Sequence, residues 1–127
     1  MIEKILLAED NYMNHILVLH GLQQYKVDIA YNGQEAVDLY NANDYDVVLM
    51  DIQMPVVDGI EASRKIREIE SENLRKPGVV ILGMTASWVP EIKKECEAAG
   101  MNDFLQKPFK PSELSAIITD FYLKYIH

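Results

Sequence analysis

Three observations predict an α/β fold built on a parallel sheet with helices on both faces. Short apolar runs rich in β-branched residues recur along the chain. Longer stretches with helical spacing lie between them. Several of the runs are continuously apolar rather than alternating. Alternation of the two kinds of segment is the pattern of a βα-repeat. Right-handed crossovers make such strands parallel. Continuously apolar strands belong to a sheet covered on both faces.

The strands are expected at Ile5–Ala8, Val27–Ala30, Val47–Met50 and Val79–Leu82, with a weaker fifth at Phe104-Leu105. The first helix is expected after Asn11, running to about Gln24. The second follows Gly33 and carries Ala36, Val37 and Tyr40. The third follows Gly59, with Ala62, Ile66 and Ile69 at helical spacing. Trp88 is expected to start the fourth, which carries Ile92, Cys96 and Ala99. The last follows Pro111 and carries Leu114, Ile117, Ile118 and Phe121. Asn32-Gly33 and Asn43-Asp44 read as turns. Gly100 suits a helix C-terminus, and Pro111 suits a first helical turn. The polar stretch from Glu72 to Gly78 reads as the longest loop.

The 127 residues fit one domain, and 49% apolar residues suffice for one core. The net charge of −8 argues against nucleic acid or anionic lipid as a partner. Lys93-Lys94 reads as a solvated helix face. No run approaches the roughly 20 apolar residues of a membrane span, and the apolar run near Met1 is shorter than the roughly 7–15 residue core expected of a secretory signal. A cytoplasmic place is expected. The single cysteine, Cys96, excludes an internal disulfide, and its spacing from Ile92 and Ala99 marks it as core rather than nucleophile.

In such folds, ligands sit beyond the carboxyl ends of the strands. The first strand ends in Glu9-Asp10-Asn11 and the third runs into Asp51. The fourth ends in Gly83-Met84-Thr85-Ala86 and the fifth in Gln106-Lys107-Pro108. Three acids, a hydroxyl and an ammonium therefore converge on one sheet edge. Crowded carboxylates repel one another, and a hard divalent cation such as Mg²⁺ offsets that. Taken singly, Glu9, Asp10 or Asp51 would read as a loop acid, Thr85 as a cap and Lys107 as a surface charge. Together they favour phosphoryl chemistry, with an aspartate as covalent nucleophile.

The segments Leu6–Asn11, Val48–Gly59, Met84–Ala86 and Lys107–Phe109 resemble the motifs of receiver domains of two-component signalling. The resemblance spans residues 1–127 as a single domain. It implies a flavodoxin-like fold of strand order 2-1-3-4-5 and Asp51 as the phosphoacceptor. It also implies Mg²⁺ held by Glu9, Asp10, Asp51 and the backbone carbonyl of Gln53. Thr85 would bond the phosphoryl group and move toward it, and Lys107 would pair with its oxygens. The implied donor is a histidine kinase or histidine phosphotransfer protein, docking near the first helix, with a downstream protein partner. The implied role is a signalling switch or phosphate relay, not an enzyme acting on a separate substrate. A receiver excised from a hybrid histidine kinase or multidomain regulator is the alternative to the stand-alone chain that Met1 suggests.

Finer features lean the same way. Asn11, Asn14 and the run Ala99–Pro108 are similar to receivers of hybrid kinases and phosphorelays, and Lys107-Pro108 is expected to be cis. Phe104 stands where the chemotaxis regulator has Tyr, so a rotating switch and plain core packing stand level. The Gln53 side chain sits where it can affect water access. A dehalogenase-type phosphatase would need an acid at position 53, and a flavin carrier would need a Ser/Thr/Gly-rich loop after the first strand. A zinc site lacks ligands at suitable spacing. His15 and His20 are expected to face solvent on the first helix, with His127 at the chain end.

Overall fold

The computed structural model describes residues 1–74 and 78–126. Strands and helices alternate: β1 (Lys4–Ala8), α1 (Tyr12–Gly21), β2 (Lys26–Ala30), α2 (Gly33–Ala42), β3 (Val47–Asp51), α3 (Gly59–Glu72), β4 (Val80–Thr85), α4 (Pro90–Ala98), β5 (Asp103–Gln106) and α5 (Pro111–Tyr125). All neighbouring strands are parallel, in the order β2-β1-β3-β4-β5. The expected fold and strand order are both present.

Successive side chains of a strand point to opposite faces, and the core divides accordingly. Leu6, Ala8, Val48, Met50 and Ile81 pack with Ala36, Tyr40, Ala62, Ile66 and Cys96 of α2, α3 and α4. Ile5, Leu7, Val47, Leu49 and Leu82 pack with Val18, Leu114 and Ile118 of α1 and α5. Every residue of β1 from Ile5 onward and every residue of β3 is buried. Each fully buried Leu or Ile contributes about 1.5–3 kcal/mol. Cys96 belongs to this core, and burial, then the carboxylate of Glu95, pushes its thiol up to about 11. That agrees with the core reading.

The helix starts are set locally. Asn11, Asn32 and Asp58 cap α1, α2 and α3, each accepting from a backbone N–H three residues on. Pro111 occupies the first turn of α5, and Gly100 after α4 has φ +100°. Three expected boundaries differ. The first helix stops at Gly21 rather than near Gln24, because α5 begins against it: a Cβ on Gly21 would lie 2.6 Å from the Pro111 carbonyl oxygen. Trp88 does not start α4. A residue before proline is driven out of the helical region, and Val89 is extended with φ −126° and ψ 155°. The third helix runs through Glu72, so the expected loop starts only at Asn73, and its residues 75–77 lie outside the described residues, as does His127.

The start of α3 is pressed onto the end of β3. The Gly59 N–H donates to the Ile52 carbonyl at 2.9 Å, and a Cβ on Gly59 would collide with the Asp51 carbonyl oxygen. Gly59→Ala will therefore lower stability by about 2–3 kcal/mol, since neither backbone can retreat. Urea unfolding measures this, and a midpoint equal to wild type would refute the close approach.

Candidate functional site

The order of strands reverses between β1 and β3, so their carboxyl ends open a cleft at the switch point. Glu9 follows β1 directly, and its N–H donates to the Ala30 carbonyl of β2 at 3.0 Å. Asp51 is the last residue of β3 and Thr85 the last of β4. The Lys107 N–H donates to the Thr85 carbonyl at 2.8 Å, which brings the end of β5 beside β4. The cleft holds about 560 Å³, and Glu9, Asp10, Asp51, Gln53, Thr85 and Lys107 are among the residues lining it. Every residue singled out there from the sequence is at the cleft except Phe104.

Its charges are unevenly exposed. Glu9 is 1% exposed and Asp51 6%, while Asp10 faces solvent. One carboxylate oxygen from each lies within 4.8 Å of the others. The Lys107 ammonium sits 2.6 Å from Glu9 Oε1 and 3.3 Å from Asp51 Oδ2. Glu9 Oε1 also accepts from Asn14 Nδ2 at 3.1 Å, and Oε2 from the Asn11 N–H at 3.3 Å.

The two buried acids therefore differ in proton affinity. Burial, then the hydrogen bond and charge of Glu9, pushes Asp51 up to about 7. Burial also opposes the charge on Glu9, but hydrogen bonds from Asp51 and Lys107 outweigh it and hold Glu9 below the usual carboxylate range. One ammonium does not neutralise three carboxylates. Clustered oxygen donors, two of them buried, suit a small hard cation, and so the residues present fit Mg²⁺.

The remaining features lie around this centre. The Thr85 hydroxyl accepts from the Ser87 N–H at 3.4 Å. Phe104 is half-buried, its ring 4.6 Å from that of Trp88 at 59°, with Lys93 Nζ 5.9 Å from its centroid. Trp88 Nε1 donates to the Leu105 carbonyl at 3.2 Å. The Lys107–Pro108 bond is cis, as expected.

One expectation is overturned and one role was missed. His15 does not face solvent: it is 2% exposed, its Nε2 is hydrogen-bonded to the Glu9 carbonyl oxygen, and its ring packs against Tyr31. Its spacing with Val18 and Leu22, three and seven residues on, was the available signal for the buried face. Asn14, in sequence only a feature shared with hybrid-kinase receivers, donates to the Glu9 carboxylate. Its place three residues after the Asn11 cap puts both at the first turn of α1.

A family model described as "Response regulator receiver domain" matches residues 5–119. The chain is 45% identical over 122 residues to hybrid signal transduction histidine kinase B of Dictyostelium discoideum, covering 89% of this chain and 6% of that one. The chain therefore spans a small fraction of this curated relative's length. Among solved structures it is similar to the receiver domain of a Saccharomyces cerevisiae response regulator, co-crystallised with a histidine phosphotransfer protein. That match has 32% identity and a TM-score of 0.87 over 98% of this chain and 92% of the other. It is also similar to the receiver domain of a Pseudomonas aeruginosa sensor histidine kinase with a magnesium ion coordinated in its active-site cleft. Here identity is 36% and the TM-score 0.80, over 96% and 98% of the two chains.

Proposed function

The chain belongs to the response regulator receiver domain family, and on that premise we propose that it accepts a phosphoryl group on Asp51 from a phosphohistidine donor. One observation carries the reading: three carboxylates within 4.8 Å of one another, with Lys107 reaching two of them, at the floor of an open cleft.

In the transfer, a carboxylate oxygen of Asp51 forms the new P–O bond as the P–N bond to the donor imidazole breaks, and the imidazole leaves with its electron pair. Asp51 must be ionised to attack. Lys107 is hydrogen-bonded to Glu9 and ion-paired with Asp51, and its three donors let it follow charge onto the phosphoryl oxygens. Thr85 supplies a hydroxyl donor on the adjacent strand. Glu9, Asp10, Asp51 and the Gln53 carbonyl would hold one Mg²⁺, which supplies charge neutralisation at the transferring oxygens. The added charge on Asp51 then draws Thr85 inward and biases the packing of Phe104, a two-state shift that changes a partner surface.

The proposed docking surface for the donor protein is α1 and the adjoining edge of the site. Tyr12, Met13 and Ile16 are 70%, 63% and 44% exposed there, an apolar rim beside the cleft that suits packed helices. Among the described residues no helix is long and apolar enough to cross a membrane. A cytoplasmic place, one domain over residues 1–127 and the absence of turnover on a separate substrate belong to the same proposal. It holds for a stand-alone chain and for a receiver segment of a hybrid kinase alike.

Intact mass after incubation with acetyl phosphate and Mg²⁺ tests it. The expected result is a gain of one phosphoryl group, prevented when Mg²⁺ is chelated beforehand. No gain from acetyl phosphate or from a phosphorylated histidine phosphotransfer protein would end the proposal.

A further inference from the structure

We propose that His15 is a positioning residue for the acidic pair: its Nε2–H, donated to the Glu9 carbonyl oxygen, fixes the Glu9–Asp10 peptide and thereby aims Asp10 at the cation. The inference rests on the receiver reading of the cleft. It starts from an asymmetry between the two acids. The Glu9 carboxylate is gripped by Lys107, Asn14 and the Asn11 N–H. The Asp10 side chain, among the described residues, has neither a hydrogen bond nor an ion pair, and it is exposed. Its direction is therefore set by its backbone.

That backbone is held at its two ends. Upstream, the Glu9 N–H bonds the Ala30 carbonyl at 3.0 Å and the Glu9 carbonyl bonds the His15 ring. Downstream, Asn11 is locked as the α1 cap, with φ −89° and ψ 117°, by its side-chain bond to the Asn14 N–H. Strand β1 has ended at Ala8, and among the described residues no backbone N–H of the sheet bonds the Glu9 carbonyl. The imidazole takes that place. The ring itself has little freedom. It stands edge-on to Tyr31 at 5.0 Å and 78°, and to Tyr12 at 6.4 Å and 77°.

The choice of residue points the same way. Position 15 shares the buried face of α1 with Val18 and Leu22, where a leucine would pack without polar cost. His15 instead leaves Nδ1 buried and, among the described residues, without a hydrogen-bond partner. Such an orphan costs free energy, and the tautomer with hydrogen on Nε2 limits it to an unused lone pair. The bond to Glu9 is what the imidazole supplies that an apolar side chain cannot. Groups that orient metal-binding loops in this way change metal affinity 10–100-fold when removed.

The test compares His15→Leu, which keeps the bulk and removes the donor, with His15→Gln, whose amide reaches the place of Nε2. Mg²⁺ affinity is read from Trp88 emission, independently of phosphorylation. His15→Leu is expected to weaken Mg²⁺ binding about tenfold, and His15→Gln to recover most of it. A merely structural role would lower the melting temperature of both variants and leave Mg²⁺ affinity alone, and that outcome overturns the proposal. Should His15→Leu not fold, wild type labelled with ¹⁵N-histidine decides. A His15 Nε2–H resonance protected from exchange and shifted by Mg²⁺ is expected, and its absence or indifference to Mg²⁺ refutes the role. Wild type that binds no Mg²⁺ would remove the receiver reading and this inference together. Mg²⁺ binding that is equal in wild type and folded His15→Leu removes only the role of His15.

Discussion

Asp51→Asn will abolish phosphoryl acceptance and, in the same protein, raise the stability of the metal-free fold above pH 7. The loss is chemical, since an amide oxygen is too weak a nucleophile to form the acyl phosphate. The gain is electrostatic. Asp51 is 6% exposed and shares its site with the buried Glu9, so its carboxyl is raised from 3.8 to about 7. For an acid raised in this way, the folded state binds the proton more tightly than the unfolded state. Stability from this group is therefore fully present below the unfolded value and is lost as pH rises through the folded one. At pH 8 the whole cost is in force. Asparagine removes the charge and offers Glu9 a permanent N–H donor. The lowered proton affinity of Glu9 and the partial solvation of the cleft reduce the effect, leaving about 2 kcal/mol. Urea unfolding at pH 8 with a chelator measures it, beside intact mass with acetyl phosphate. A midpoint at or below wild type would show that Asp51 and Glu9 do not compete. A variant that still gains phosphate would mean another acceptor.

The second large effect is competition between Mg²⁺ and the proton. Below about 7 Asp51 is protonated in the metal-free protein, so a cation must displace that proton before it can use the carboxylate. The Mg²⁺ dissociation constant will rise roughly tenfold for each pH unit below that value and level off above it. Burial opposes the charge on Glu9, but hydrogen bonds from Asp51 and Lys107 outweigh it and keep its proton affinity low, so it does not add a second proton in that range. The measurement is a Mg²⁺ titration of Trp88 emission at a series of pH values. Trp88 suits it because its ring packs on Phe104 and it follows Thr85 by three residues. Equal affinity at pH 5.5 and pH 8 would mean that Asp51 is not the proton-competing ligand. Mg²⁺ will correspondingly raise the melting temperature more at pH 8 than at pH 5.5, because the repulsion it relieves is absent from the protonated site.

Helix number, the parallel sheet and the gathering of Glu9, Asp10, Asp51, Thr85 and Lys107 are legible along the chain. Helix number and parallel pairing follow from periodicity: apolar runs such as Val47–Met50 are buried on both faces, and the helices between them dictate parallel crossovers, while the strand order came with the resemblance to receiver domains. The third follows from topology, because parallel strands place all their carboxyl ends on one edge. The resemblance of four motifs to receiver domains added the role of each residue.

Less was legible where two faces of one helix are alike or where partners are remote. Apolar residues nearly surround α1: Val18 is buried, while Met13, Ile16 and Leu17 are exposed. The spacing of His15 with Val18 and Leu22 is one of several apolar stripes on this helix, so the expectation that His15 faces solvent fails only against the tertiary structure. The early stop of α1 depends on Pro111, ninety residues away in sequence from Gly21. The start of α4 follows from Val89-Pro90, since proline keeps the residue before it out of the helix. The grip of Lys107 on Glu9 spans 98 positions. Composition and spacing thus sufficed for which elements form and which residues share an edge, since both depend on local burial and connectivity. Which buried acid keeps its proton, and which side chains aim the pair, depends on distances of a few ångströms between residues far apart in the chain. Those distances exist only after the strands are paired and the helices have closed over them.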